Sequence, residues 1–219
     1  MNKDGEPCRP PVFDVAFRDE LERLFRWRRD VRRFRTDPVD SALIKALIAT
    51  ATLAPSVGNS QPWRFVNVAD PNRRAIIQKN FETANSDALG DYSGERARLY
   101  ATLKLDGLEK APAHLAVFSD TQTPYGHGLG SQTMPETLAY SVVGAIQTMW
   151  LAARTQGIGV GWVSILDPAE VTRTLKVPDA WQFIAYLCMG YPEEEHLDPE
   201  LVRHGWQDQA DISDFIIER

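Results

Sequence analysis

The chain has only two cysteines in 219 residues, Cys8 in a polar leader and Cys188 in an apolar run, so it has no material for a disulfide framework. Both are expected as free thiols. Its four histidines, His114, His127, His196 and His204, form no i,i+4 pair and flank no CxxC, which removes the usual grounds for a zinc site. No metal is expected. No stretch approaches the ~20 apolar residues of a membrane helix, and the first residues, MNKDGEPCRPP, lack the apolar core of a signal peptide. A cytoplasmic protein with no membrane partner is the expectation. There is no repeat period and no low-complexity segment. A net charge of -6 works against nucleic acid as a partner.

What is present is ordinary for a globular chain: 43% hydrophobic and 25% charged residues, in a length that builds one sizeable core. A polar leader over 1–13 and one domain over 14–219 are expected. Asp14 is placed to cap an amphipathic helix carrying Phe17, Leu21, Leu24 and Phe25, and Asp40 to cap a second through Leu43, Ile44, Leu47, Ile48 and Ala51. Pro55 ends that pattern and opens a polar loop over 55–62. A strand over 63–68 and a helix from Pro71 through Phe81 follow. Residues 86–110 read as a loosely held helical excursion, and 114–119 as a short strand. The Gly/Thr-rich loop over 121–133 is longer than most connections. From Pro135 the pattern is apolar almost all round, predicting a central helix that Gly157 ends. A strand over 159–165, a helix capped by Asp167 and running to Leu175, and an apolar strand over 182–191 complete the core. The tail over 192–219 is acidic, yet Trp206, Phe215, Ile216 and Ile217 need burial, which predicts packing on a partner subunit.

Seven arginines crowd between Arg23 and Arg35. Cations in the last turn of a helix are stabilised by its dipole whether or not a ligand exists, and this reading stands beside that of an anion site. A flavin mononucleotide would supply two anionic groups, its phosphate and the N1–C2=O edge of the reduced ring. The run Gly157-Ile158-Gly159-Val160-Gly161-Trp162 enters a strand from a helix, the reverse of the dinucleotide-binding order, and is not a Rossmann fingerprint. Glycines entering a strand mark a tight turn or a close backbone approach. Ser164 has no GxSxG elbow around it, which argues against an acyl-transfer nucleophile.

Residues 28–34, the block 54–63 (APSVGNSQPW) and the run 157–162 stand in the order and spacing of the nitroreductase superfamily. Within it the chain resembles the 5,6-dimethylbenzimidazole synthase branch, the BluB family. That likeness rests on Asp30, on Ser93-Gly94-Glu95-Arg96 leading to Leu103-Lys104-Leu105 and Lys110-Ala111-Pro112, and on Gly161-Trp162-Val163-Ser164. The resemblance implies an α+β fold with a central, mostly antiparallel sheet flanked by helices, assembled as a homodimer. It implies oxygen-dependent fragmentation of reduced FMN to 5,6-dimethylbenzimidazole and erythrose 4-phosphate, the flavin being substrate. Carried over residue by residue, Arg28, Arg29, Arg32, Ser56, Asn59, Gln61 and Gly161 resemble flavin-binding positions. Asp30 resembles the catalytic acid, a general base near the ribityl carbon, and Ser164 the serine at the N5/C4a edge. The excursion 86–110 corresponds to a lid, and NAD(P)H would act only indirectly, through a separate flavin reductase. Where the family's tail carries Lys or Arg for the phosphate, this chain has Gln207-Asp208-Gln209, leaving Arg203 or His204 as substitutes. Two other readings follow from the same residues: an FMN-dependent NAD(P)H nitroreductase or quinone reductase, and a non-catalytic flavin or nucleic-acid module built on the arginines.

Overall fold

Asp14 accepts a hydrogen bond from the Phe17 amide at 2.8 Å and so starts α1 (Val15–Trp27). The helix stops at Arg28, whose backbone is extended. Only Arg26 of the arginine cluster therefore occupies the last turn, and the cations at 28, 29, 32 and 33 lie beyond the helix. The dipole explanation of the cluster does not apply to them. This computed structural model describes residues 10–90, 92–102 and 106–219; Cys8 and the 103–105 part of the lid block lie outside the described residues.

Asp40 caps α2 (Ser41–Ala51), which buries Ile44, Leu47 and Ala51. After β1 (Trp63–Asn67) comes α3 (Pro71–Gly90), nine residues longer than the apolar pattern indicated. Its second half is polar but contains no breaker before Gly90, so helix propensity carries it on without a buried stripe. Two short helices, α4 (Gly94–Thr102) and α5 (Gly107–Lys110), complete the excursion. The strand β2 (Ala113–Asp120) leads through the long loop to α6 (Thr137–Thr155), followed by β3 (Gly159–Val163), α7 (Pro168–Leu175), β4 (Trp181–Gly190) and α8 (Glu200–Arg203).

The sheet runs β1-β2-β4-β3 with every ladder antiparallel. Period-two alternation sends Leu115 and Val117 of β2 to one face and Ala116 and Phe118 to the other. The first face packs on α2 and α6 through Ile44, Leu47, Val142, Ile146 and Met149. The second packs on α3, α5 and α7 through Ile77, Leu108, Val171 and Leu175. Each such side chain contributes roughly 1.5–3 kcal/mol, so the two cores fix the sheet as a rigid platform. His114, fully buried, donates from Nε2 to the Ala111 carbonyl and accepts from the Tyr186 hydroxyl at Nδ1, both at 3.0 Å. Burial pushes its pKa down to about 4 and pushes the Tyr186 phenol up, so the pair stays neutral. This bond ties the end of the excursion to the sheet. Among the described residues no helix is long and apolar enough to cross a membrane.

Candidate active site

Residues 28–34 form an extended segment docked along β3. The Val31 amide donates to the Val160 carbonyl at 3.0 Å, Asp30 forms a parallel bridge with Val160, and Phe34 forms an antiparallel bridge with Pro192. Phe34 is fully buried and anchors the segment. A Cβ added at Gly107, Gly161 or Gly190 would lie 3.0–3.5 Å from its ring. At Gly161 the same atom would stand 2.2 Å from the Val31 carbonyl oxygen, inside any tolerable contact. Within the 157–162 run Gly161 thus admits a close backbone approach, and the approaching backbone is the chain's own, whereas Gly159 meets the Val31 and Pro192 side chains.

Docking on β3 places Asp30. Its Oδ1 accepts from the Trp162 amide at 2.9 Å, and its Oδ2 lies 3.6 Å from Arg32 Nε. The side chain is 39% exposed, opening only into a cleft. Burial raises the Asp30 pKa; the Trp162 bond, Arg32 and Arg28 oppose that rise and Glu200 adds to it. Arg32 is 13% exposed and its Nε has no hydrogen-bond partner. Arg33 bonds Glu194 at 2.6 Å and Glu200 at 3.3 Å. Arg29 donates to the Leu197 and Arg28 carbonyls, and burial with the Arg28 charge lowers its pKa. The Arg28 guanidinium sits 5.1 Å over the Trp150 ring. Arg29, Asp30, Arg32 and Arg33 line one narrow cleft with Glu200 and Arg203. A narrower one, with Gly161, Trp162 and Cys188, adjoins Asp30.

The loop over 55–62 builds a second cleft. Ser56 Oγ accepts from the Gln61 amide at 3.0 Å, and the Val57 amide donates to Ser141 Oγ of α6 at 3.0 Å. Asn59 and Gln61 hold left-handed backbones with φ of 56° and 46°, as does His127 at 48° across the cleft. Such strain persists only where surrounding structure imposes it. Asn59 and Gln61 line a space of about 430 Å³ with Tyr125, Gly126 and His127. No residue lines both this cleft and the arginine cleft, so one chain keeps the two predicted groups apart. Ser164 is exposed just beyond β3 and lines neither.

The excursion meets the tail through aromatic rings. Tyr92 and Tyr100 stack at 5.0 Å, Trp206 sets its edge against Tyr92 at 5.5 Å, and the Arg96 guanidinium lies 5.4 Å over Trp206. Trp206 is therefore partly covered within its own chain. Phe215, Ile216 and Ile217 are 64–75% exposed. Sequence reading missed Glu200 altogether, because an acid in an acidic tail carries no signal until α8 folds back onto the arginines. It also missed His127 and Tyr125, whose loop showed only as unusually long.

No group of three or more His, Cys, Asp or Glu side chains among the described residues could hold a metal ion. Residues 25–191 match the nitroreductase family. A protein of Rhodospirillum rubrum named 5,6-dimethylbenzimidazole synthase is 59% identical over 197 residues, covering 90% of this chain and 93% of that protein. One of the same name from Rhodobacter capsulatus is 50% identical over 196 residues, covering 90% and 95%. Among solved structures, iodotyrosine deiodinase bound to FMN and 3-iodo-L-tyrosine superposes with a TM-score of 0.71 at 24% identity, covering 91% of this chain and 97% of that one. A family match spanning most of the chain, on a four-stranded antiparallel sheet between helical layers, establishes that this chain belongs to the nitroreductase family.

Proposed function

We infer that this chain is a 5,6-dimethylbenzimidazole synthase, an oxidoreductase that takes reduced FMN as substrate. Its relatives at 59% and 50% identity carry that name across nearly their whole length. In the structure the supporting observation is Asp30: a carboxylate of raised pKa, held by the Trp162 amide inside an arginine-lined cleft.

The residues present fit the flavin. Arg32 Nε is buried without a hydrogen-bond partner, a costly state that an anionic oxygen would relieve. Reduced FMN brings such oxygens on its phosphate and on its ring edge, and it supplies the electrons for reaction with O2. Arg28, Arg29 and Arg32 hold those anionic groups, Arg203 reaching the same cleft from the tail. Gly161 keeps the wall beside Asp30 free of a side chain. Asp30 removes a proton from the ribityl carbon, since burial strengthens it as a base toward the working pH. Ser164, exposed just beyond β3, relays a proton at the N5/C4a edge. Ser56, Asn59 and Gln61 bind the ribityl chain and ring. Because these amide groups line a separate cleft, the reading has a homodimer in which one copy supplies the arginines and its partner the 55–62 loop. Exposed Tyr140 and Val143 on α6 and the bare tail side chains support such an assembly. Reduced flavin arrives in the cytoplasm from a separate NAD(P)H-dependent flavin reductase, and the lid excludes water during the reaction.

Aerobic incubation with reduced FMN, followed by chromatography, tests this reading. The wild type releases 5,6-dimethylbenzimidazole. Asp30→Asn loses that product by roughly 10²–10⁴-fold while its FMN affinity stays within about threefold. Intact flavin from the wild type, or full activity in the variant, overturns it.

A further inference from the structure

Glu200 opens α8 with a side chain only 11% exposed, turned onto the arginines rather than into solvent. Its Oε1 accepts from both terminal nitrogens of Arg33 at 3.3 Å, and its Oε2 stands 4.0 Å from Arg32 Nε. Asp30 Oδ2 approaches the same Nε to 3.6 Å. Neither distance is a hydrogen bond. The Arg32 guanidinium is held between two carboxylates with its Nε bonded to neither.

That arrangement matters for a base. An arginine bonded directly to Asp30 would favour the ionised carboxylate and weaken its pull on a proton. We propose that Glu200 is a positioning residue for the proton transfer at Asp30: it competes with Asp30 for Arg32, so that the guanidinium Nε closes no hydrogen bond on Asp30 and that carboxylate stays bonded to the Trp162 amide and able to accept a proton. The inference rests on the reading of Asp30 as the base. Glu200 also places a second negative charge beside Asp30, which acts in the same direction. The cost is affinity, since Glu200 competes with the flavin for Arg32 and Arg33.

Other charges face the pair from every side. Arg28 and Arg29 belong to the docked segment, and Glu194 and His196 precede α8. Arg154 of α6 is bonded to Glu195, Asp198 precedes α8 and Arg203 ends it. The Cys188 thiol lies behind Asp30, its pKa pushed up by burial. His204 is the nearest imidazole, 3.7 Å from Glu200 Oε1.

Glu200→Gln keeps shape and acceptor but removes the charge. Oxidised FMN, followed by quenching of its fluorescence, is expected to bind about three- to tenfold tighter. Benzimidazole formation at saturating reduced FMN is expected to fall roughly tenfold, with the acidic limb of its pH profile moved to lower pH. Glu200→Asp, which retains the charge, keeps the wild-type limb. The displacement persists in a His204→Gln background, assigning it to the carboxylate. A merely structural role weakens binding and turnover together, and that result, or an unmoved limb, overturns the proposal. The two readings fail separately. Full activity in Asp30→Asn removes the base itself, whereas an inactive Asp30→Asn beside a wild-type profile in Glu200→Gln removes only the role of Glu200.

Discussion

The docked segment over 28–34 and the α4 part of the excursion over 86–110 are held to the rest of the chain by opposite means. The segment is bonded to β3 on one side, and Phe34 is locked among three glycines. No described side chain of α4 is buried, and that part of the excursion meets the tail at ring edges and a cation over an indole, whereas α5 is anchored in the second core through Leu108. Charge that must be aimed to within tenths of an ångström is built on the rigid sheet. In the proposed reading of 86–110 as a lid, water exclusion, which has to be reversible, falls to an element with little burial of its own.

Gly161→Ala attacks the rigid side and should have the largest effect. The new methyl would lie 2.2 Å from the Val31 carbonyl oxygen, which belongs to backbone and cannot swing away as a side chain would. The segment must lift from β3, stretching the Val31–Val160 bond and drawing Asp30 off the Trp162 amide. A loss of roughly 2–4 kcal/mol is expected. Thermal unfolding would register it as a fall of about 5–10 °C. Benzimidazole formation should drop more than about a hundredfold, because a misplacement near 1 Å is enough for that. A variant with unchanged melting and activity would show that the segment is not held as described.

The same contrast explains what could be read from the chain. Asp14, Asp40 and Asp167 announced their helices because capping is a local matter of a few residues, and all three accept the expected amide bonds. The apolar runs that became β2, β4 and α6 were legible because burial on both faces leaves a continuous hydrophobic signature. The second half of α3 was not, since a polar helix end has no periodicity to detect. Of the site, the arginines and glycines were conspicuous, but their relation was hidden. Nothing local says that Gly161 exists to admit Val31. Glu200 meets Arg33 across 167 residues, so its part appears only once the tail has folded back. Asp30 stood out through family resemblance, as a lone Asp among arginines reads equally well as a solvated ion pair.

Trp206→Ala tests the less buried side and should act more gently. Aromatic pairs contribute about 0.5–1.5 kcal/mol each, and these join an exposed element to an exposed tail. Melting should change by less than about 3 °C. The consequence belongs to the lid: KM for reduced FMN is expected to rise about three- to tenfold, and protease cleavage within 86–110 to accelerate. Unchanged cleavage, or a collapse in stability as large as that of Gly161→Ala, would erase the distinction between the two regions.

The smallest effect concerns the strain stored on the rigid side. Burial, the largest influence on Asp30, raises its pKa in the folded protein. A carboxyl whose folded pKa exceeds its unfolded value stabilises below the unfolded pKa, and that contribution is lost as pH rises through the folded one. At pH 7 the ionised Asp30 is therefore a burden that the two cores carry. Asp30→Asn keeps the acceptor for the Trp162 amide and removes the charge, so its Tm should exceed that of the wild type by about 1–2 °C at pH 7. The difference should shrink as the wild-type carboxyl protonates on acidification. Were the variant to melt below the wild type at pH 7, attraction to Arg28 and Arg32 would outweigh burial. Asp30 would then be a comfortable ion-pair partner, a poor choice for a group that must take a proton from carbon.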